Sequence, residues 1–263
     1  MRNITLAAVA LVAGAGAAAA QTPLADRILA VRDGTVRLAY AVRDGICGDG
    51  ETFIRDRGRG DDHYVSFEER DGRRWRNAPC EPGPARVEII RLEGAVNRVR
   101  VYVGGEWRTG GGDVTDLGTV SAPQAAKALI VLAQRERRAD RAIFAAMIAD
   151  SAVVWPDLLT LAKNDDAPKA SRKSAVFWLS QAAGDAAVRG LTDLASDQRQ
   201  DRDVREQAVF ALSQRPHDEG VPILIRLARG DRDPAIRRKA LFWLGQSDDP
   251  RALALFEAIL TGK

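Results

Sequence analysis

Three ten-residue segments in the C-terminal half are near copies of one another: residues 172–181 (RKSAVFWLSQ), 205–214 (REQAVFALSQ) and 237–246 (RRKALFWLGQ). Their starts lie 33 and then 32 residues apart. A fixed period in the low thirties leaves few architectures open, because each copy is one supersecondary unit that buries its apolar face only against its neighbours. Within a copy the apolar spacing is helical. Ala175, Trp178 and Leu179 recur as Ala208, Ala211 and Leu212 and again as Ala240, Trp243 and Leu244, the i, i+3, i+4 stripe of a helix packed on one side. A second helix follows, with Leu191 and Leu194 matching Leu224 and Leu227, and Asp197 and Asp231 at its end. Gly184-Asp185, Pro216-His217-Asp218, Gly230-Asp231 and Asp248-Asp249-Pro250 supply the turns.

These units resemble HEAT repeats, specifically the short bacterial kind called PBS-lyase HEAT-like. The resemblance rests on Asp203-Val204-Arg205 with Ala208 and Ala211-Leu212, and on Asp233-Pro234 with Ile236-Arg237, Ala240 and Leu244. Ser171 departs from it, standing where Val or Ile is expected. A fainter copy places Ala142, Ile143 and Phe144 33 residues before Ala175, Val176 and Phe177. Its second helix is expected over 155–162, with a capping helix from Ala122 to about Arg135 and Ser121 as N-cap. The resemblance covers roughly 122–263 and implies an α-solenoid of about four helical pairs. It implies binding as the class of function without naming a partner, because one architecture serves many roles.

The first twenty residues read as a secretory signal: Arg2, an apolar run over 4–12, and Ala18-Ala19-Ala20 before Gln21. The stretch is weakly apolar for a membrane span, so the mature chain is expected to be periplasmic or secreted, and not membrane-spanning after cleavage. Two cysteines, Cys47 and Cys80, agree with export and are expected to form a structural disulfide. The loop so closed contributes about 3–4 kcal/mol through restricted chain entropy. Between the signal and the repeats, residues 35–42, 86–92 and 96–103 alternate apolar with arginine, the pattern of half-buried strands. Glu93-Gly94-Ala95 reads as a hairpin turn, 44–81 as one long polar loop, and the stretch from Gly110 to Pro123 as a linker. The fold expected is therefore an α+β two-domain chain. A small disulfide-stapled antiparallel β-domain occupies 22–120, and an all-α HEAT-like solenoid occupies 121–263.

Composition narrows the chemistry. His63 and His217 are the two histidines of the chain, which disfavours triad hydrolysis and multi-histidine metal sites. The deoxyhypusine hydroxylases, HEAT-like enzymes, hold iron through His-Glu pairs; His63-Tyr64 and His217-Asp218 do not reproduce them. Nothing marks the pigment pocket of a bilin lyase. Asp61-Asp62-His63 with Glu68-Glu69 matches no calcium-loop spacing and reads first as a solvated acidic loop. No cofactor, no metal and no catalytic residue is expected.

Arg172, Arg205 and Arg237 share one repeat position, with Lys173, Arg238 and Lys239 beside them. Stacked, they form either a basic stripe for an acidic partner or a structural ladder. The resemblance implies the second, through turn aspartates such as Asp203 and Asp233 of a neighbouring unit. Phe177, Phe210 and Phe242, with Trp178 and Trp243, make an aromatic ridge that reads as packing between helices or as a stacking ledge. The last helix is apolar on too many sides for a terminal cap, and Leu253, Phe256 and Leu260 are expected to meet a partner or a second copy. These observations favour a non-catalytic protein-binding scaffold of the cell envelope acting through a concave solenoid face, without nucleic acid. The alternative is an enzyme or small-ligand module in the β-domain, with the solenoid as substrate adaptor.

Overall fold

The computed structural model describes residues 22–51, 53–56, 63–66, 80–107, 112–181 and 185–262, with backbone alone over 63–66. The expected signal segment, 1–20, lies outside the described residues. The chain begins with a short helix that the repeat-free sequence did not announce, α1 (Leu24–Ala30), whose Ile28 is fully buried. Four strands then build one sheet in the order β6-β5-β1-β7: β1 (Gly34–Tyr40), β5 (Ala85–Leu92), β6 (Ala95–Val103) and β7 (Val114–Thr119). The period-two alternation sends one face inward. Val36, Leu38 and Tyr40 stand opposite Ile89, Val87 and Ala85, which stand opposite Val99, Val101 and Val103, all buried. The β5–β6 turn is tight, with Glu93 and Gly94 both left-handed at φ 54° and 80°.

Two expectations need correcting. The segment expected as a linker contains β7, which runs parallel to β1 along the sheet edge, so the sheet is mixed rather than antiparallel. Its sequence, VTDLGT, carries no alternation because almost every position is exposed; backbone pairing recruits it, with Leu117 as its one contact to the core. The stretch expected as one polar loop holds β2 (Ile46–Gly48), β3 (Phe53–Asp56) and β4 (His63–Ser66), a small antiparallel sheet of strands too short to show a period. The Cys47–Cys80 disulfide is present, with Cα atoms 5.1 Å apart. Beside it Gly48 and Glu81 exchange two backbone hydrogen bonds of 3.0 and 2.8 Å.

Nine helices follow among the described residues. They are α2 (Ala122–Arg135), α3 (Arg141–Met147), α4 (Trp155–Lys163), α5 (Lys169–Ser180), α6 (Asp185–Ser196), α7 (Arg202–Ser213), α8 (His217–Gly230), α9 (Pro234–Gly245) and α10 (Pro250–Thr261). Their positions follow the apolar stripes, and they pack in two rows: α3, α5, α7 and α9 in one, α4, α6, α8 and α10 in the other. Asp233 and Asp249 cap α9 and α10 by accepting from the Ala235 and Arg251 amides, each followed by a proline at the first helical position. Ser121 occupies the N-cap position of α2, but its side chain makes no capping hydrogen bond. Gly220, in α8, lies so close to the Leu212 carbonyl oxygen that no Cβ fits there.

The strands end at Thr119 and the run of paired helices opens with α2 at Ala122, yet one apolar core runs through both. Tyr40 Oη donates to the Ala145 carbonyl at 2.6 Å, and its burial pushes the phenol pKa up. Val42 bridges to Ala149. The β5–β6 turn is latched to α2 by Arg91, which is buried and donates to the Val31 and Gly94 carbonyls. Arg91 also pairs with Glu136 at 3.1 Å, whose other carboxylate oxygen accepts from the Val96 amide.

Candidate interaction surface

The arginines that share a repeat position do not form a surface stripe. Arg172, in the first turn of α5, is 3% exposed, and Arg205, in the first turn of α7, is 4% exposed. Each donates to a carbonyl in the last turn of the preceding helix: Arg172 to Ala162 at 3.3 Å, Arg205 to Ala195 at 2.9 Å. Those carbonyls lack helical partners, and a cation at a helix C-terminus also answers the helix dipole. Each also holds side chains in the flanking turns: Arg172 takes Asp165 at 2.8 Å in the α4–α5 turn and Gln200 and Asp201 at 2.7 and 2.8 Å in the α6–α7 turn, and Arg205 takes Asp231 at 2.6 Å just after α8. Of the two readings, the structural ladder fits both residues, whose guanidiniums are engaged as bolts between neighbouring helices.

Of the acids expected as their partners, Asp233 lies 4.0 Å from Arg205 and pairs more closely with Arg202, at 2.9 Å, while capping α9, whereas Asp203 pairs with Lys169 at 3.4 Å on the exposed side. The Ala235 amide and the Arg202 guanidinium hold the Asp233 carboxyl below the usual carboxylate range. The third arginine differs from the first two. Arg237 is half-buried and donates to the Asp231 carbonyl at 2.7 Å, with no carboxylate paired to it among the described residues. Arg238 is exposed, and Lys239 lies 3.9 Å from Glu206.

The aromatic ridge splits into packed and open members. Phe144 meets Trp178 at 5.4 Å and Phe210 meets Trp243 at 5.0 Å, each pair joining a first-row helix to the next one. Phe177 has no such partner, because the residue in that register is Ala211, and it stays exposed. Phe242 is 55% exposed. On α10 just Ala252 and Leu255 are buried. Leu253 (62% exposed), Ile259 (55%) and Leu260 (86%) stand open, while Phe256 is half-buried with its ring edge 3.7 Å from where a Cβ on Gly245 would lie. Spacings of three, four and seven put Leu253, Phe256 and Leu260 on one side of the helix. Half of the exposed large apolar residues among those described thus belong to α9 and α10. Single exposed apolar residues carry no meaning, whereas a concentration of them on one helical pair is a departure from the rest of the surface.

The outward face of the sheet offers less. Asp116, Arg37, Glu88 and Arg100 stand in one row across the four strands, alternating in charge. Glu88 is buried and takes Arg37 at 2.8 Å and Arg100 at 3.6 Å. The Arg37 and Arg86 guanidinium carbons lie 5.2 and 5.8 Å from the Trp107 ring centre. These charges neutralise one another rather than await a ligand. Asp61, Asp62, Glu68 and Glu69 lie outside the described residues, and His63 is placed only by its backbone, opposite Asp56. Among the described residues no group of three or more His, Cys, Asp or Glu is arranged to hold a metal ion, and no helix is long and apolar enough to cross a membrane.

The sequence from Val188 to the end, residues 188–263, matches the family model described as HEAT repeats, which covers well under half of the chain. A search of curated proteins returns no match. The matched segment spans most of α6 and all of α7–α10, the same helices that carry the Arg205–Asp231 bolt and the open apolar residues.

Proposed function

We propose that this chain is a non-catalytic protein-binding scaffold of the cell envelope, its paired helices forming a HEAT-repeat solenoid of residues 121–263. The contact surface in this reading is the last helical pair. The observation that carries it is that four of the eight exposed large apolar residues among those described, Phe242, Leu253, Ile259 and Leu260, fall on this one helical pair. HEAT repeats commonly mediate protein interactions, and the match over residues 188–263 includes this surface. Exposed Arg238 and half-paired Lys239 lie one helical turn before Phe242, a basic edge suited to acidic residues of a partner. The disulfide is compatible with an oxidising compartment. Nucleic acid fits poorly, since two of the three ladder arginines are buried in ion pairs.

The test is site-specific photo-crosslinking in the producing cell, with the photoreactive residue at position 260 and, as control, at position 226. A discrete adduct from 260 alone, lost on Leu253→Asp, supports the reading. An adduct at twice the mass of the chain assigns the surface to self-association. No adduct from 260, with the protein folded, removes it.

A further inference from the structure

A groove of about 350 Å3 runs between the start of α1 and the side of α2. Helix α1 has seven residues and α2 fourteen, so α1 covers only part of its neighbour. The α2 wall runs from Gln124 to Val131, two turns or about 10 Å of helix. The floor is apolar: Ala25 and Ala128 are buried, and Leu24, Val120 and Val131 are half-buried. The charges in the lining are all of one sign. Arg27 and Lys127 both line the groove, both are exposed, and neither has an acid partner among the described residues. No aspartate or glutamate belongs to the lining. Asp26, the nearest acid along α1, is paired with Arg135 at 3.2 Å.

We propose that this groove binds a small amphiphilic anion, a carboxylate on an apolar chain of medium length. The chain lies along the apolar floor, and Arg27 and Lys127 supply the counter-charge. Size agrees, because small-molecule sites start at about 300 Å3 and the floor matches the length of an octyl chain. Charge agrees as well: a neutral ligand leaves both cations unanswered, and a cationic one is repelled by them. An apolar surface with few polar groups at its edge is also the composition of a small-molecule site. The groove is formed by α1 and α2, not by α9 and α10, so the site is independent of the scaffold reading.

The experiment is isothermal titration calorimetry of the full chain with octanoate, butyrate and octylammonium at neutral pH. The expected result is saturable, one-site binding of octanoate. Butyrate binds at least about tenfold more weakly, since each CH2 withdrawn from water favours the longer chain. Octylammonium, with the same tail and the opposite charge, does not bind. Arg27→Gln with Lys127→Gln removes only exposed side chains, and it is expected to weaken octanoate about fivefold. Leu24→Asp, which puts a negative charge in the floor, abolishes binding. The proposal is overturned by octylammonium binding as well as octanoate, or by octanoate affinity unchanged in the double variant. It is overturned equally by no saturable octanoate binding, as when residues 1–21 fill the groove. A dimer that the double variant dissociates assigns the groove to a second copy and overturns it too.

Discussion

Arg205 and Asp231 form a 2.6 Å ion pair in which both side chains are 4% exposed. The pair ties the first turn of α7 to the C-terminal end of α8, and Asp231 also accepts from the Asp233 amide at 2.8 Å. Removing one member of such a pair strands a buried charge, which costs about 3–5 kcal/mol. Asp231→Ala is therefore expected to destabilise the chain by about 3 kcal/mol or more in urea denaturation. Asp203→Ala, which breaks only the exposed pair with Lys169, changes stability by about 1 kcal/mol or less. Equal effects of the two substitutions would mean that the bolt contributes nothing special.

Ser171 is fully buried and its hydroxyl has no hydrogen-bond partner. The equivalent residues of the next two units are Val204 and Ile236, both buried. Ser171→Val removes an unsatisfied polar group and adds apolar contact, so it is expected to stabilise by about 1 kcal/mol. A thermal melt reads this as a rise of a few degrees, and a fall in Tm overturns it.

Arg251, through its hydrogen bonds, holds the Asp249 carboxyl at about 2, and Asp233 is depressed as well. A carboxyl with a lowered folded-state pKa binds its proton more readily in the unfolded chain. Its contribution is present above the ordinary carboxylate range and is lost as pH falls through the folded value. Stability should accordingly decline from about pH 4 towards pH 2, the span between the ordinary carboxylate pKa and the Asp249 value. Asp249→Asn, measured by chemical denaturation at several pH values, is expected to flatten that decline; an unchanged acid limb refutes the assignment.

The disulfide closes a separation of 33 residues. Cys47→Ala with Cys80→Ala is expected to lose about 3–4 kcal/mol, largely through the freed unfolded chain. The Gly48–Glu81 backbone bridge remains to hold the base of the segment. The unmodified protein should show no reactive thiol until it is reduced, and labelling without reductant would contradict the pairing.

The paired helices were legible because Ala and Leu recur at helical spacing inside a fixed repeat, and β1, β5 and β6 because their inward residues alternate. β7 was not, since an edge strand with exposed side chains on both faces leaves no period to read. α1 spans seven residues, too few for a stripe to stand out. Among the candidate site residues, the repeat position of Arg172 and Arg205 was plain but their burial was not. A guanidinium that caps a helix end and one that meets solvent are written with the same letter. Their closest acids lie at Asp201, just before α7, and Asp231, just after α8, rather than at Asp203 inside the first turn of α7 or at the α9 cap Asp233, which stands off at 4.0 Å from Arg205.

The bond from Tyr40 to the Ala145 carbonyl spans 105 residues, and it sets a timetable. The three strands that carry the inward face are complete once Val103 has been made, but the helices that cover Val36, Leu38 and Tyr40 finish only near Ala149. Until those helices are in place, on whichever side of a membrane the chain folds, a sticky, partly formed sheet is open to chaperones, to proteases and to its own neighbours.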